Sequence, residues 1–143
     1  MGKEMFVTQI ADRLGGRIGS LLTKAVYLDG SLASEITEIR LRVGRPISIK
    51  RLVESYFMDA QGRPVQARQA YRVSQEDLSC VMSRICQYSR YAFESDIKQG
   101  YITIPGGHRI GIAGKILPDG TITEVSGMSV RIGKAVPGAS ERI

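Results

Sequence analysis

At Ile36 the hydrophobic period of this 143-residue chain switches from about 3.6 residues to two, and that switch constrains the fold more than any other feature. Upstream, Phe6, Ile10, Leu14, Ile18, Leu21, Leu22 and Ala25 recur at three- and four-residue spacing. This is the stripe of an amphipathic helix over residues 5–25, weakened or bent by Gly15-Gly16 and Gly19. Asp29-Gly30-Ser31 is a turn, with a short helical turn at Ser31–Ser34. Downstream of the switch, Ile36, Ile39, Leu41 and Val43 alternate loosely with Thr37, Glu38, Arg40 and Arg42, the pattern of a half-buried strand. Gly44-Arg45-Pro46 interrupts the run and Pro46–Lys50 resumes it, which predicts a β-hairpin. A third strand is expected at Glu54–Met58, then a turn at Asp59–Gly62 and a short strand near Ala70–Val73.

Ser74 opens the clearest helix: its hydroxyl suits an N-cap, and Glu76 and Asp77 sit where the helix dipole favours negative charge. Leu78, Val81, Met82, Ile85 and Tyr88 follow as its apolar stripe. A second helical stretch is expected at Ala92–Lys98, ending at Gly100. The last third reads as strands: Tyr101–Ile104, a turn at Pro105-Gly106-Gly107, Arg109–Ile116, a turn at Pro118-Asp119-Gly120, then Thr121–Val125 and Ser129–Ile132. Helix, strands, helix, strands is the order of an α+β fold with an antiparallel sheet. Three regions are expected: a helical region at 1–30, the α+β domain at 31–135 and a linker at 136–143.

A chain of this length buries roughly 68–70% of its unfolded surface and needs no disulfide or metal staple. Cys80 and Cys86 lie six residues apart, out of phase on a helix, so a bridge between them is not expected. No apolar run approaches the roughly 18 residues of a membrane span. The net charge is +6, and fourteen of the twenty cations are arginine, which suits two-pronged recognition of carboxylate or phosphate.

The catalytic options are thin. His108 is the one histidine, placed in Gly106-Gly107-His108-Arg109, and the nearest acids in sequence, Asp96 and Asp119, are distant along the chain. It reads as a turn histidine bonding its own hairpin. No C-x-x-C is present, and no metal site is expected. Gly107, Gly111 and Gly114 do not have the spacing of a phosphate-binding P-loop, and Lys115 is not followed by Ser or Thr. Glycines inside a strand mark a bulge or a close backbone approach. The arginines carry more: Arg40 and Arg42 share one strand face, opposite Leu41 and Val43, while Arg109 and Arg131 sit on later strands. They either present charge to an anion or interface, or form a solvated face with weak ion pairs.

Glu38–Pro46, Gln99–Ile104, Gly106–Lys115 and Ser129–Ile132, taken together and in this order, resemble the N-terminal half of the stage III sporulation protein AA family. That resemblance implies a mother-cell ATPase similar to those of type II secretion and type IV pili. In such proteins an N-terminal domain precedes a RecA-like P-loop domain and the subunits form hexameric rings. The implied role is to power the channel between mother cell and forespore. Catalysis is then expected from a P-loop domain that this sequence does not contain, so the chain alone is expected not to hydrolyse ATP. By the same resemblance, Arg109 and Arg131 contact the nucleotide from the N-terminal domain, and ATP and Mg are expected for the full-length protein only.

The implied partners are the chain's own C-terminal ATPase domain, neighbouring subunits of a ring and membrane proteins of the sporulation channel. The implied location is the mother-cell cytoplasm, with a peripheral position at the membrane left open. Two readings of other classes stay open. One is an RNA- or DNA-binding domain using the basic sheet face, although aromatics are only 6% and nucleic acid is not the expected partner. The other is a protein-docking module acting through the N-terminal helix.

Overall fold

The structure, a computed structural model, describes residues 10–88, 101–104, 106–118 and 122–133. The N-terminal apolar stripe forms two helices rather than one: α1, described over 10–14, and α2, Gly16–Leu28. The break falls at Gly15-Gly16, whose φ values of +63° and +58° are left-handed and accessible to glycine at little cost. Arg84 fills the notch, its Nη2 donating to the carbonyl of Asp12 at 2.7 Å. A single helical turn, α3 (Leu32–Glu35), leads into the first strand.

Among the described residues seven strands follow: β1 Ile36–Arg42, β2 Ser48–Arg51, β3 Glu54–Met58, β4 Pro64–Val65, β5 Tyr101–Ile104, β6 His108–Ile116 and β7 Ile122–Arg131. They form one antiparallel sheet in the order β4-β3-β2-β1-β7-β6-β5. This is the α+β class expected from the alternating runs. The hairpin at Gly44–Pro46 forms as expected, with β2 starting at Ser48 and Pro46 making an isolated bridge to Arg72.

Two strand expectations are corrected. No strand forms at Ala70–Val73: a 3-10 turn at Ala67–Gln69 precedes the segment, and its backbone clamps the β1–β2 turn instead. Thr121–Val125 and Ser129–Ile132 are not two strands, because β7 runs unbroken from Ile122 to Arg131. Gly127 reads locally as a breaker, yet it lies between Arg42 of β1 and Ala113 of β6, and pairing on both sides carries the strand through. The pairing of β6 with β7 is irregular at Ala113/Gly114 and at Lys115/Ile116, where β7 carries the extra residue each time, and a Cβ on Gly114 would sit 2.2 Å from the carbonyl oxygen of Glu124.

Helix α4 (Gln75–Tyr88) opens as expected on Ser74. The Asp77 amide donates to Ser74 Oγ at 3.1 Å, and the Ser74 amide donates to Asp77 Oδ2 at 2.9 Å. This reciprocal cap satisfies two helix-end donors at once. Tyr71 adds its hydroxyl to the same carboxylate at 2.7 Å. Leu78, Val81 and Ile85 then enter the core. The helical stretch expected at Ala92–Lys98 and the linker at 136–143 lie outside the described residues.

One apolar cluster joins the layers: Leu14, Ile18 and Leu22 from the first helices, Leu78 and Ile85 from α4, and the inner sheet face. On that face the registers align Ile49, Ile39, Val130, Ile110 and Ile102 in a row across five strands. Every second residue of those strands points the other way, so the polar positions form a second face. Among the described residues, no helix is long and apolar enough to cross a membrane.

Candidate functional site: an arginine-bearing sheet face

Strand pairing brings the four singled-out arginines onto one surface. In one transverse row lie Ser55, Lys50, Glu38, Arg131, Arg109 and Thr103, contributed in turn by β3, β2, β1, β7, β6 and β5. The next row holds Ser48, Arg40, Ser129, Gly111 and Tyr101. The third holds Arg42, Gly127 and Ala113. Glu38 and Arg131 are neighbours here because β1 pairs with β7, and Arg109 and Arg131 because β6 pairs with β7.

Arg109 and Arg131 are direct cross-strand partners. Like charges placed opposite one another destabilise a sheet, so each needs compensation. The guanidinium of Arg109 lies 4.9 Å from the ring centroid of Tyr101, a cation–π contact. Arg131 Nε lies 3.7 Å from Glu38 Oε1, while Arg40 Nε takes Glu38 Oε2 at 2.5 Å. One carboxylate thus ties two arginines from adjacent strands. Burial pushes the Glu38 carboxyl up, but the hydrogen bond and charge of Arg40, the Ser129 hydroxyl and the charge of Arg131 together hold it below the ordinary glutamate range. Glu38 stays ionised and organises the face. Its position two residues before Arg40, on the same strand parity, was the available sequence signal for this role.

Arg42 and Arg45 have no carboxylate partner among the described residues. Together with Arg40 they rim an open depression of about 630 Å³ whose floor includes Gly111 and Gly127. Arg45 was not singled out in the sequence, because it sits in the turn rather than on a strand. Its turn is held from two sides: Gly44 N–H donates to Val73 O at 2.8 Å, Val73 N–H to Arg45 O at 2.9 Å, and Val43 N–H to Ser126 O at 3.0 Å.

His108 lies apart from this surface, on the core side and fully buried, with its Nδ1 accepting the N–H of Gly133 at 3.0 Å. Burial lowers its pKa below the ordinary histidine value, which favours the neutral imidazole that this acceptor role requires. Cys80 is a free, half-buried thiol beside Gly16. Among the described residues no group of three or more His, Cys, Asp or Glu side chains gathers in a metal-binding arrangement.

The family described as "Sporulation stage III, protein AA" matches residues 6–143. The stage III sporulation protein AA of Bacillus subtilis (strain 168) is 32% identical over 111 residues, covering 75% of this chain and 33% of that protein. The chain therefore spans about a third of the length of this curated relative. Among solved structures, the VirB11 ATPase of the Brucella suis type IV secretion system aligns over 82% of this chain and 32% of its own, at 16% identity and a TM-score of 0.41. The Legionella pneumophila ATPase DotB aligns over 87% of this chain and 32% of its own, at 15% identity and a TM-score of 0.42. With a family match across nearly the whole sequence and a relative 32% identical over 111 residues, the chain belongs to the stage III sporulation protein AA family.

Proposed function

We propose that this chain is the N-terminal regulatory and assembly module of a ring-forming, secretion-type ATPase that powers the channel between mother cell and forespore. Its partners in that reading are a P-loop domain of the same protein, neighbouring subunits and membrane proteins of the channel, in the mother-cell cytoplasm. ATP and Mg are handled by the P-loop domain, and this module performs no hydrolysis by itself. Its own contribution is guanidinium charge, delivered by Arg109 and Arg131.

The observation that carries this reading is the side-by-side placement of Arg109 and Arg131 on the solvent-facing side of adjacent interior strands. The Tyr101 ring and the Glu38 carboxylate hold them in place, so little reorganisation is needed when they meet an anion. A sheet pays for two opposed cations, and an incoming phosphate relieves that repulsion. Charge developing on a transferring phosphoryl group is stabilised by such a guanidinium.

Two comparisons test the proposal. ATP turnover is expected from this sequence extended by roughly 150 residues to include a P-loop domain, and not from the 143-residue chain. In the extended protein, Arg109→Ala or Arg131→Ala is expected to lower kcat about 100-fold while leaving ATP binding within a few-fold. Turnover by the short chain, or unchanged kcat in both variants, would overturn the assignment.

A further inference from the structure

Gly111 stands in the middle of β6 without an intramolecular reason to be glycine. Its φ is not left-handed, and a Cβ there would meet nothing closer than the carbonyl oxygen of Ser129 at 3.9 Å, an ordinary contact. It is not at either register shift between β6 and β7, which fall at Ala113/Gly114 and Lys115/Ile116. Glycine inside a strand costs about 0.5–1 kcal/mol against alanine. A glycine with open space above it leaves room for something outside the chain to approach the backbone closely at that point.

What surrounds it indicates what approaches. Gly111 forms part of the floor of the depression rimmed by Arg40, Arg42 and Arg45, and no acidic residue lines it. Gly127 completes the floor, where a Cβ would press on Leu41 O at 3.1 Å and the stem of Arg42 at 3.4 Å. Arg42 and Arg45 lack carboxylate partners among the described residues, and the clamped turn fixes the backbone from which they project. Arg40 and Arg42 follow one another along β1, and Arg45 stands in the turn beyond it. Arg40 and Arg42 are two residues apart, about 6.6–6.8 Å along a strand. That is also the spacing of alternate side chains in an extended peptide. Alternating carboxylates supply one partner at each of these positions, each as a planar match to a guanidinium fork.

We propose that this depression is a docking site for an extended acidic segment of a protein partner, with Asp or Glu at alternate positions and its backbone passing over Gly111. The site adjoins the Arg109–Arg131 pair, to which Glu38 links it through Arg40, but it does not depend on the nucleotide reading. Its binding is read on this chain without any ATPase activity.

The probe is a fluorescein-labelled peptide of repeating Glu-Thr, with a Gln-Thr peptide as its uncharged counterpart, titrated against the chain by fluorescence anisotropy at about 50 mM salt. The Glu-Thr peptide is expected to bind and the Gln-Thr peptide not. Arg42→Gln combined with Arg45→Gln is expected to weaken binding at least tenfold. Gly111→Leu, which fills the floor while keeping every charge, is expected to do the same, with amide NMR spectra confirming an intact fold. Lys24→Gln combined with Arg68→Gln removes equal charge elsewhere and is expected to leave affinity within about twofold. Absence of binding would overturn the proposal. So would a Gly111→Leu protein that folds and binds normally, an equal loss in the Lys24/Arg68 control, or displacement of the peptide by inorganic phosphate or ATP at equimolar concentration.

Discussion

Replacing Glu38 by Gln tests whether one carboxylate organises the arginine face. The substitution keeps size and hydrogen-bonding capacity but deletes the charge between Arg40 and Arg131. Hydrogen bonds to charged partners contribute about 1.5–3 kcal/mol when enclosed, whereas exposed ion pairs contribute under about 1 kcal/mol. Glu38 is only 9% exposed, which places its side of each pair near the enclosed limit. The Arg40 and Arg131 side chains are 58% and 76% exposed, which discounts the pairs toward the surface value. With the repulsion between Arg131 and Arg109 no longer offset, the expected loss is about 1–2 kcal/mol at neutral pH. At an m-value near 2 kcal/mol/M, the urea midpoint should fall by about 0.5–1 M with an unchanged slope.

Salt and pH provide independent checks on the same variant. About 1 M NaCl shortens the Debye length to about 3 Å and should narrow the gap between variant and wild type. The folded-state pKa of Glu38 lies below its unfolded value. Its contribution is therefore fully present above the ordinary glutamate pKa of about 4.3 and is lost as pH falls through the lower, folded value. The gap between wild type and Glu38→Gln should close over that acid window. A urea midpoint unchanged within about 0.1 M at pH 7, or a gap indifferent to both salt and acid, would refute the reasoning.

Two further expectations concern the frame behind the face. Gly19→Ala would ordinarily stabilise a helix by about 1 kcal/mol, but here the sign reverses: the new Cβ would sit 2.3 Å from the backbone carbonyl oxygen of Ala11, so thermal melting should show a lower Tm. His108, the single histidine, should titrate in the folded protein below about 6.5 when its ring proton is followed by NMR. Because its folded pKa is lowered, its share of stability is present above the unfolded value and is lost as pH falls through the folded one; a midpoint at or above 6.5 would remove this account.

Local chemistry made much of the architecture legible. The period-two run at Ile36–Val43 placed Arg40 and Arg42 on one face because alternation is a property of the strand backbone itself. Ser74 and Asp77 announced the start of α4 because a cap satisfies donors within three residues of itself. Gly15-Gly16 announced the helix break for the same reason: the left-handed turn is a local demand.

Other features required partners distant in the chain. Ser126-Gly127-Met128 reads as an interruption by propensity, yet hydrogen-bonding neighbours on both sides hold it in β7. Ala70–Val73 has strand composition, but it closes the β1–β2 turn instead of joining the sheet. The placing of Glu38 beside Arg131 follows from β1 pairing with β7, and the apposition of Arg109 with Arg131 from β6 pairing with β7. Propensity, parity and capping are decided within a few residues by sterics and hydrogen bonding, so the sequence alone determined them. Which strand lies beside which, and hence which charges must share a surface, is decided by burying one apolar face of the whole sheet under its helices, and only the tertiary structure settled it.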